Sequence, residues 1–253
     1  MLFRSVAMRL ADHRSVLLVE SEEQLGMHAT GRSAAMTNRT SGPASVCALA
    51  TASESFLESP PEGFTDVPLL SPRGLLWVGR TGTDAMLDAT AAKSPTTTSR
   101  LRTPTAIGLI PLMNRDTCGA GGVHESGARS IDVAALLQGY RRSALRRASI
   151  IRTSAEAIRI NRQKDHWKVA AGEREVECSI VVNAAGAWGD EIARRAGVHR
   201  LRLQTLRRTA AIVAAPPEVA SWPMVMDIEG RWYVLPDAGG LLISPADETP
   251  DEP

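Results

Sequence analysis

Ser15-Val-Leu-Leu-Val-Glu20 and Ser179-Ile-Val-Val-Asn-Ala-Ala-Gly186 are the two stretches on which the fold turns. Each is a short apolar run rich in β-branched residues, the composition of a strand buried on both faces of a parallel sheet. The first ends in an acid, the second in small residues. Upstream of the first, residues 1–12 carry helical apolar spacing, with Leu2, Phe3, Val6, Ala7 and Leu10 on one face, and His13-Arg14 interrupts it. Helix, turn, apolar strand and terminal acid have the order of the second half of a βαβ dinucleotide-binding unit, in which the acid ending the second strand, here Glu20, would accept hydrogen bonds from the ribose hydroxyls of an adenosine. The first half of such a unit, a strand running into GxGxxG, has no counterpart before Met1.

Working outward, Gly26-Met-His-Ala-Thr-Gly31-Arg-Ser-Ala-Ala35 offers small residues and hydroxyls that let a backbone approach a ligand closely. A helix cap at Thr30 or Ser33 would look the same. Residues 44–59 read as a helix stopped by Pro60-Pro61, and residues 68–78 as strands around a Ser-Pro-Arg-Gly turn. A helix is expected near residues 85–93, glycine-rich turns over 117–131, and a long amphipathic helix over 132–148. Residues 150–152, 157–160, 167–171 and 175–178 read as short antiparallel strands leading into the buried strand at 179–186. A short polar helix is expected over 190–196, with strands at 206–213 and 231–235. Residues 244–250 are expected to end the chain without a capping element.

Composition excludes several classes. With 29 Lys+Arg against 28 Asp+Glu the formal net charge is +1, which gives no electrostatic case for nucleic acid or an anionic membrane surface. The pairs Arg141-Arg142 and Arg146-Arg147 fit the polar face of a helix. The 3 cysteines (Cys47, Cys118, Cys178) are far apart and the 5 histidines lack ligand spacing, so neither a disulfide framework nor a metal site is indicated. No apolar run approaches the ~18 residues that span a bilayer. The start lacks the apolar stretch of a secretory signal; its Arg-rich amphipathic character also suits a transit peptide, but the βαβ reading accounts for the helix better. The expected location is cytoplasmic.

Six segments, in order and spanning nearly the whole chain, resemble the D-amino-acid oxidase superfamily of FAD-dependent oxidoreductases, in particular bacterial D-amino-acid and D-arginine dehydrogenases and glycine oxidase-like proteins. They are ATGRSAA (29–35), DVAALLQGY (132–140), VVNAAGAW (181–188), LQTLRR (203–208), WPM (222–224) and YVLPDAGGLLISPA (233–246). The resemblance implies an α/β chain, mixed α+β overall, with a Rossmann-like FAD/NAD(P)-binding domain and an inserted antiparallel-sheet substrate domain. Residues 1–62 and 130–203 would form the former, 63–129 and 204–253 part of the latter. It also implies FAD as cofactor and a small amine or amino acid as substrate. Glu20 would bind the adenosine ribose; Gly31, Arg32, Ser33, Ala34 and Ala35 would lie along the pyrophosphate and flavin. The Ala157 backbone would meet the adenine, and Ala184, Gly186 and Trp188 would pack near the cofactor. Arg208 would face the substrate carboxylate with its planar fork, Tyr233 would add a hydroxyl to it, and Met224 would line the apolar side.

Plainer uses stand beside these roles. Glu20 suits a solvated strand end, Arg32 and Ser33 a helix cap, Ala184 and Gly186 tight packing, and Trp232 and Tyr233 a core. Only one of Arg207 and Arg208 faces inward if they share a strand. The sequence also departs from the family pattern. The GxGxxG loop and the central strand before it are missing, as is the C-terminal part that brings a second carboxylate-binding arginine. Met36 and Ser41 stand where relatives often carry polar or aromatic pocket residues. The expectation is an incomplete copy that oxidises the C–N bond of a D-amino acid or related amine to an imine by hydride transfer to flavin, impaired by weak or absent FAD binding. The alternative is a non-catalytic remnant or subunit acting through a partner chain. A tRNA-modifying or sarcosine-type relative is a lesser third reading.

Overall fold

The structure is a computed structural model and describes residues 2–253; Met1 and the side chains of Leu2 and Phe3, expected on the apolar face of the first helix, lie outside the described residues. Among the described residues six α-helices follow one another: α1 (Leu2–Leu10), α2 (Ala44–Glu58), α3 (Asp84–Ala92), α4 (Thr103–Leu109), α5 (Val133–Arg146) and α6 (Gly189–Arg195). Helix α5 starts where Asp132 accepts a hydrogen bond from the Ala135 N–H at 2.8 Å, an N-cap that satisfies an orphan donor. Its buried face carries Leu136, Leu137, Gly139, Ser143 and Ala144. Helix α1 packs on α5, and Met8 joins Leu57, Phe64, Leu69 and Leu136 in one core. Helix α2 stops at Ser59, ahead of the two prolines.

The largest sheet has seven strands in the order Ala211–Val213, Gly240–Ser244, Tyr233–Asp237, Met224–Asp227, Leu75–Val78, Gly122–Glu125, Thr98–Leu101. It is antiparallel except at one seam, where Leu75–Val78 runs parallel to Met224–Asp227 in the register Leu75↔Met224. Leu75–Val78 is buried on both faces, as expected for a central strand without alternation. A three-stranded sheet pairs Met36–Thr37 and Leu70–Pro72 with Arg129–Ile131. Another is the meander of strands Ala157–Arg162, Trp167–Ala171 and Arg174–Cys178.

The structure differs from the sequence reading in several places. Strand Ile150–Arg152 does not join the antiparallel meander; it lies parallel to Leu17–Val19, Leu18 opposite Ile151. Helix α5 is the crossover that returns the chain in the same direction, as a parallel pair requires. Residues 179–183 form no strand. Val181 packs on the Ile160–Val169 cluster, while Ile180 and Val182 are 61% and 50% exposed. The apolar pattern is present, but a strand also needs a ladder partner, and the described residues supply none. Residues 117–131 are not only turns: they hold strands Gly122–Glu125 and Arg129–Ile131. Gly122 is there because a Cβ would run into the Trp77 carbonyl of the neighbouring strand. The expected strand at 206–213 is broken into Leu206–Arg207 and Ala211–Val213, and the final residues are tied down, Thr249–Pro250 pairing with Leu206–Arg207.

Candidate functional site

On one side, the end of strand Leu17–Val19 meets the turns that follow both apolar runs. Glu20 is half-buried; its Oε1 accepts only long contacts, 3.3 Å from Ser21 Oγ and from the Glu22 N–H. Its backbone is fixed: the Glu20 carbonyl accepts from the Ala155 N–H at 2.8 Å. Glu22 holds His28 at 2.8 Å, and the His28 ring lies 4.6 Å from the Trp188 indole, joining the 21–35 turn to the 183–188 turn. Asn183 shapes the latter, donating to the Gly189 carbonyl at 2.7 Å and accepting from the Ala185 N–H. Gly186 has φ +56° with nothing within 4 Å of where a Cβ would sit. That leaves an open approach to backbone, which fits the edge of a flat cofactor.

Not every residue in this half is free for a ligand. A Cβ on Gly31 would collide with the Gly26 carbonyl, so the turn itself requires that glycine. Ser33 donates to the Thr30 carbonyl at 2.9 Å, and Arg32 is exposed with no ion pair among the described residues. The Ala157 carbonyl accepts from Arg195 at 2.9 Å. Ala184 is half-buried beside Asn183.

On the other side, the chain leaving the first turn enters the three-stranded sheet and packs on the core of the large one. Ala34 and Met36 pack against a buried cluster containing Leu75, Trp77, Met224, Tyr233, Leu235 and Leu242. Three residues expected from sequence on the flavin side or at the substrate (Ala34, Met224, Tyr233) therefore share one core, together with Met36, which the sequence marked only as a departure from the family pattern. Ala35 stays in the backbone ladder, its carbonyl accepting from the Ile131 N–H at 2.9 Å. The Tyr233 ring is buried, and its hydroxyl has no hydrogen-bond partner among the described residues. Such a hydroxyl is a ready donor for a ligand.

Arg208 stands apart from that core. It is exposed and donates to Glu248 at 2.8 Å, while Arg207 binds Asp251 at 3.2 Å, so neither arginine faces inward. Its neighbour Thr209 accepts from Ser244 Oγ at 2.6 Å, and Ser244 is the register partner of Tyr233, which places Arg208 two strands away from the tyrosine. Sequence reasoning passed over Thr40 and Glu125, which hold the loop after Met36. A polar residue ending a strand carries no distinctive signal, and their pairing is visible only in three dimensions.

A family model described as FAD dependent oxidoreductase matches residues 4–253. The chain belongs to this family. Family members depend on FAD, and the open glycine turn and the half-buried acid at the strand end suit that cofactor. Mitochondrial dimethylglycine dehydrogenase of Rattus norvegicus is 27% identical over 142 residues, covering 54% of this chain and 16% of that protein. The curated relative is thus matched over a small fraction of its own length. Among solved structures, glycine oxidase from Geobacillus kaustophilus superposes with TM-score 0.78 at 20% identity, over 98% of this chain and 68% of that one. The FAD-bound L-alpha-glycerophosphate oxidase from Mycoplasma pneumoniae gives TM-score 0.82 at 19% identity, over 96% and 67%. Likeness at these identities speaks for the fold. The fold is that of the FAD-dependent oxidases, mixed α/β with a large sheet.

Proposed function

We propose that this family member acts on the C–N bond of an amino acid or related amine whose side chain is apolar. The observation that carries the reading is the meeting of Ala34 and Met36 with Met224 and Tyr233 in one buried cluster. The side chains lining it are aliphatic, aromatic or thioether, and methionines adapt to substrates of varied shape. Residues 1–62 and 130–203 are taken as the cofactor side, residues 63–129 and 204–253 as the substrate side.

Glu20 would hold the adenosine ribose, and the backbone of residues 31–35, with Arg32 and Ser33, would flank the pyrophosphate and flavin. Ala157, Ala184, Gly186 and Trp188 would border the cofactor. The chemistry supplied by bound FAD is acceptance of two electrons as a hydride. Tyr233 would donate its unpartnered hydroxyl to the substrate carboxylate, and Met36 and Met224 would exclude water from the reacting carbon. Arg208 would attract the carboxylate from the rim, exchanging Glu248 for it. Relatives named as dehydrogenases or oxidases of glycine derivatives support this class. The direct test is a visible absorbance spectrum of the purified chain before and after adding FAD, followed by reduction of the band with D- and L-amino acids. Bleaching by an apolar amino acid is the expected result; a flavin band that no amine or amino acid bleaches would refute the assignment.

A second reading is a subunit that works through a partner chain. It is favoured by the exposed Ile180 and Val182 and by strand Leu17–Val19, which among the described residues is paired on one edge only. Gel filtration at increasing concentration separates the two readings: a monomer that bleaches argues against it.

A further inference from the structure

One carboxylate is buried at the end of a strand of the large sheet. Glu125 ends strand Gly122–Glu125 opposite Leu75 and is 1% exposed. Its Oε1 accepts from the Arg39 backbone N–H at 2.7 Å and its Oε2 from the Thr40 hydroxyl at 2.6 Å. Thr40, fully buried, accepts in turn from the Trp77 indole N–H at 2.9 Å. Lys93 Nζ donates to the Thr40 carbonyl at 2.9 Å, and Asn38 accepts from the backbone N–H groups of Thr40 and Ser41. The Arg39 side chain is held outside by Glu54 at 2.9 and 2.5 Å. An apolar side chain would fill the same volume without the desolvation of a charge. What the carboxylate adds is a pair of acceptors, aimed at a loop 85 residues earlier in the chain.

That loop continues directly from Ala34 and Met36, which pack against the buried cluster that contains Tyr233. We propose that Glu125 is a positioning residue: through Thr40 and the Arg39 N–H it fixes the 38–42 loop, and so sets Met36 against the buried cluster that contains Tyr233. The inference rests on the reading of that cluster as the wall of the substrate site, while its mechanical part stands without it. Both groups facing Glu125 are donors, so an amide there leaves one donor opposed to another. Thr40 must both donate and accept, which a serine hydroxyl does and a valine does not.

The test is hydrogen–deuterium exchange by mass spectrometry on the full chain, comparing wild type with Glu125→Gln, Thr40→Val and Thr40→Ser. Peptides over residues 34–42 are expected to exchange about tenfold faster in the first two variants. The Ala157–Arg162 meander should keep wild-type uptake, and Thr40→Ser should restore the wild-type pattern. Uniformly faster exchange across the chain, or no change at 34–42, overturns the proposal. A second readout is the visible band in the presence of FAD, expected to shift in Glu125→Gln and Thr40→Val and to stay put in Thr40→Ser; a band unmoved in all three overturns the link to the pocket. Absence of any band in wild type is the weak FAD binding expected of an incomplete copy, and the exchange pattern then decides the positioning role alone.

Discussion

Gly139 lies on the buried face of α5, and replacing it with alanine sets two effects against each other. Alanine in a helix interior is favoured over glycine by about 1 kcal/mol. The added Cβ, however, would be driven into the Phe64 ring, meeting three of its carbons. That ring is 1% exposed and clamped edge-on by Phe56 at 5.2 Å and Tyr140 at 5.1 Å, with Met8, Leu57, Leu69 and Leu136 around it, so it has no room to retreat. Overpacking of a closed core costs about 1–3 kcal/mol, and a ring with no exit belongs at the upper end. The net expectation for Gly139→Ala is a loss of roughly 2 kcal/mol, or about 4–8 °C in Tm for a chain of this size. Gly108 in α4 is the control: nothing lies within 4 Å of its Cβ position, so Gly108→Ala should gain up to about 1 kcal/mol. Thermal unfolding of both variants, followed by far-ultraviolet circular dichroism, makes the comparison. A Gly139→Ala protein as stable as wild type would show that the aromatic clamp yields, and the packing argument would fail.

Removing the Tyr233 hydroxyl should leave stability nearly unchanged, since it has no partner to lose, while kcat/KM falls about 10–100-fold in Tyr233→Phe if it binds a carboxylate; thermal melts and steady-state kinetics check the two halves separately. Asp227 is 1% exposed; burial alone would raise its pKa, but bidentate bonds from Arg231 at 2.7 and 2.8 Å outweigh that and hold it below the ordinary range. A depressed carboxylate stabilises the fold above its unfolded pKa of about 3.9 and loses that contribution as pH falls through the lower folded value. Wild-type Tm should therefore drop across that acid window more steeply than in Asp227→Asn, and parallel curves would rule the linkage out. Ile180→Lys, at an exposed and unpaired position, is expected to change stability by less than about 0.5 kcal/mol, whereas Val181→Lys should destabilise by about 2 kcal/mol or more because that side chain packs on the Ile160 cluster; urea titration distinguishes them.

Local signals carried much of the fold. The Pro60-Pro61 stop and the apolar spacing that begins at Asp132 located α2 and α5 to within a residue or two, because both signals act within a few turns of backbone. What failed depended on neighbours distant in sequence. Residues 179–183 have the composition of a strand and lack a ladder to join; Gly122 reads as a turn residue and lies in a sheet that needs its bareness. The two-residue strand Met36–Thr37 is too short for any periodicity to reveal. Of the candidate site, Ala34, Met224 and Tyr233 were named from motifs and meet in one buried cluster, but the Arg208–Glu248 contact and the Glu125–Thr40 clasp arise from side chains 40 and 85 residues apart.

The parallel seam between Leu75–Val78 and Met224–Asp227 also bears on how the chain is made. Leu-Leu-Trp-Val is apolar and buried at all four positions, and the partner for one of its edges is encoded roughly 150 residues downstream. At about 5–20 residues per second of synthesis, that edge waits on the order of ten seconds for its match. Ribosome-bound intermediates of this protein are thus expected to be clients of holding chaperones, with release tied to emergence of the Met224–Asp227 strand.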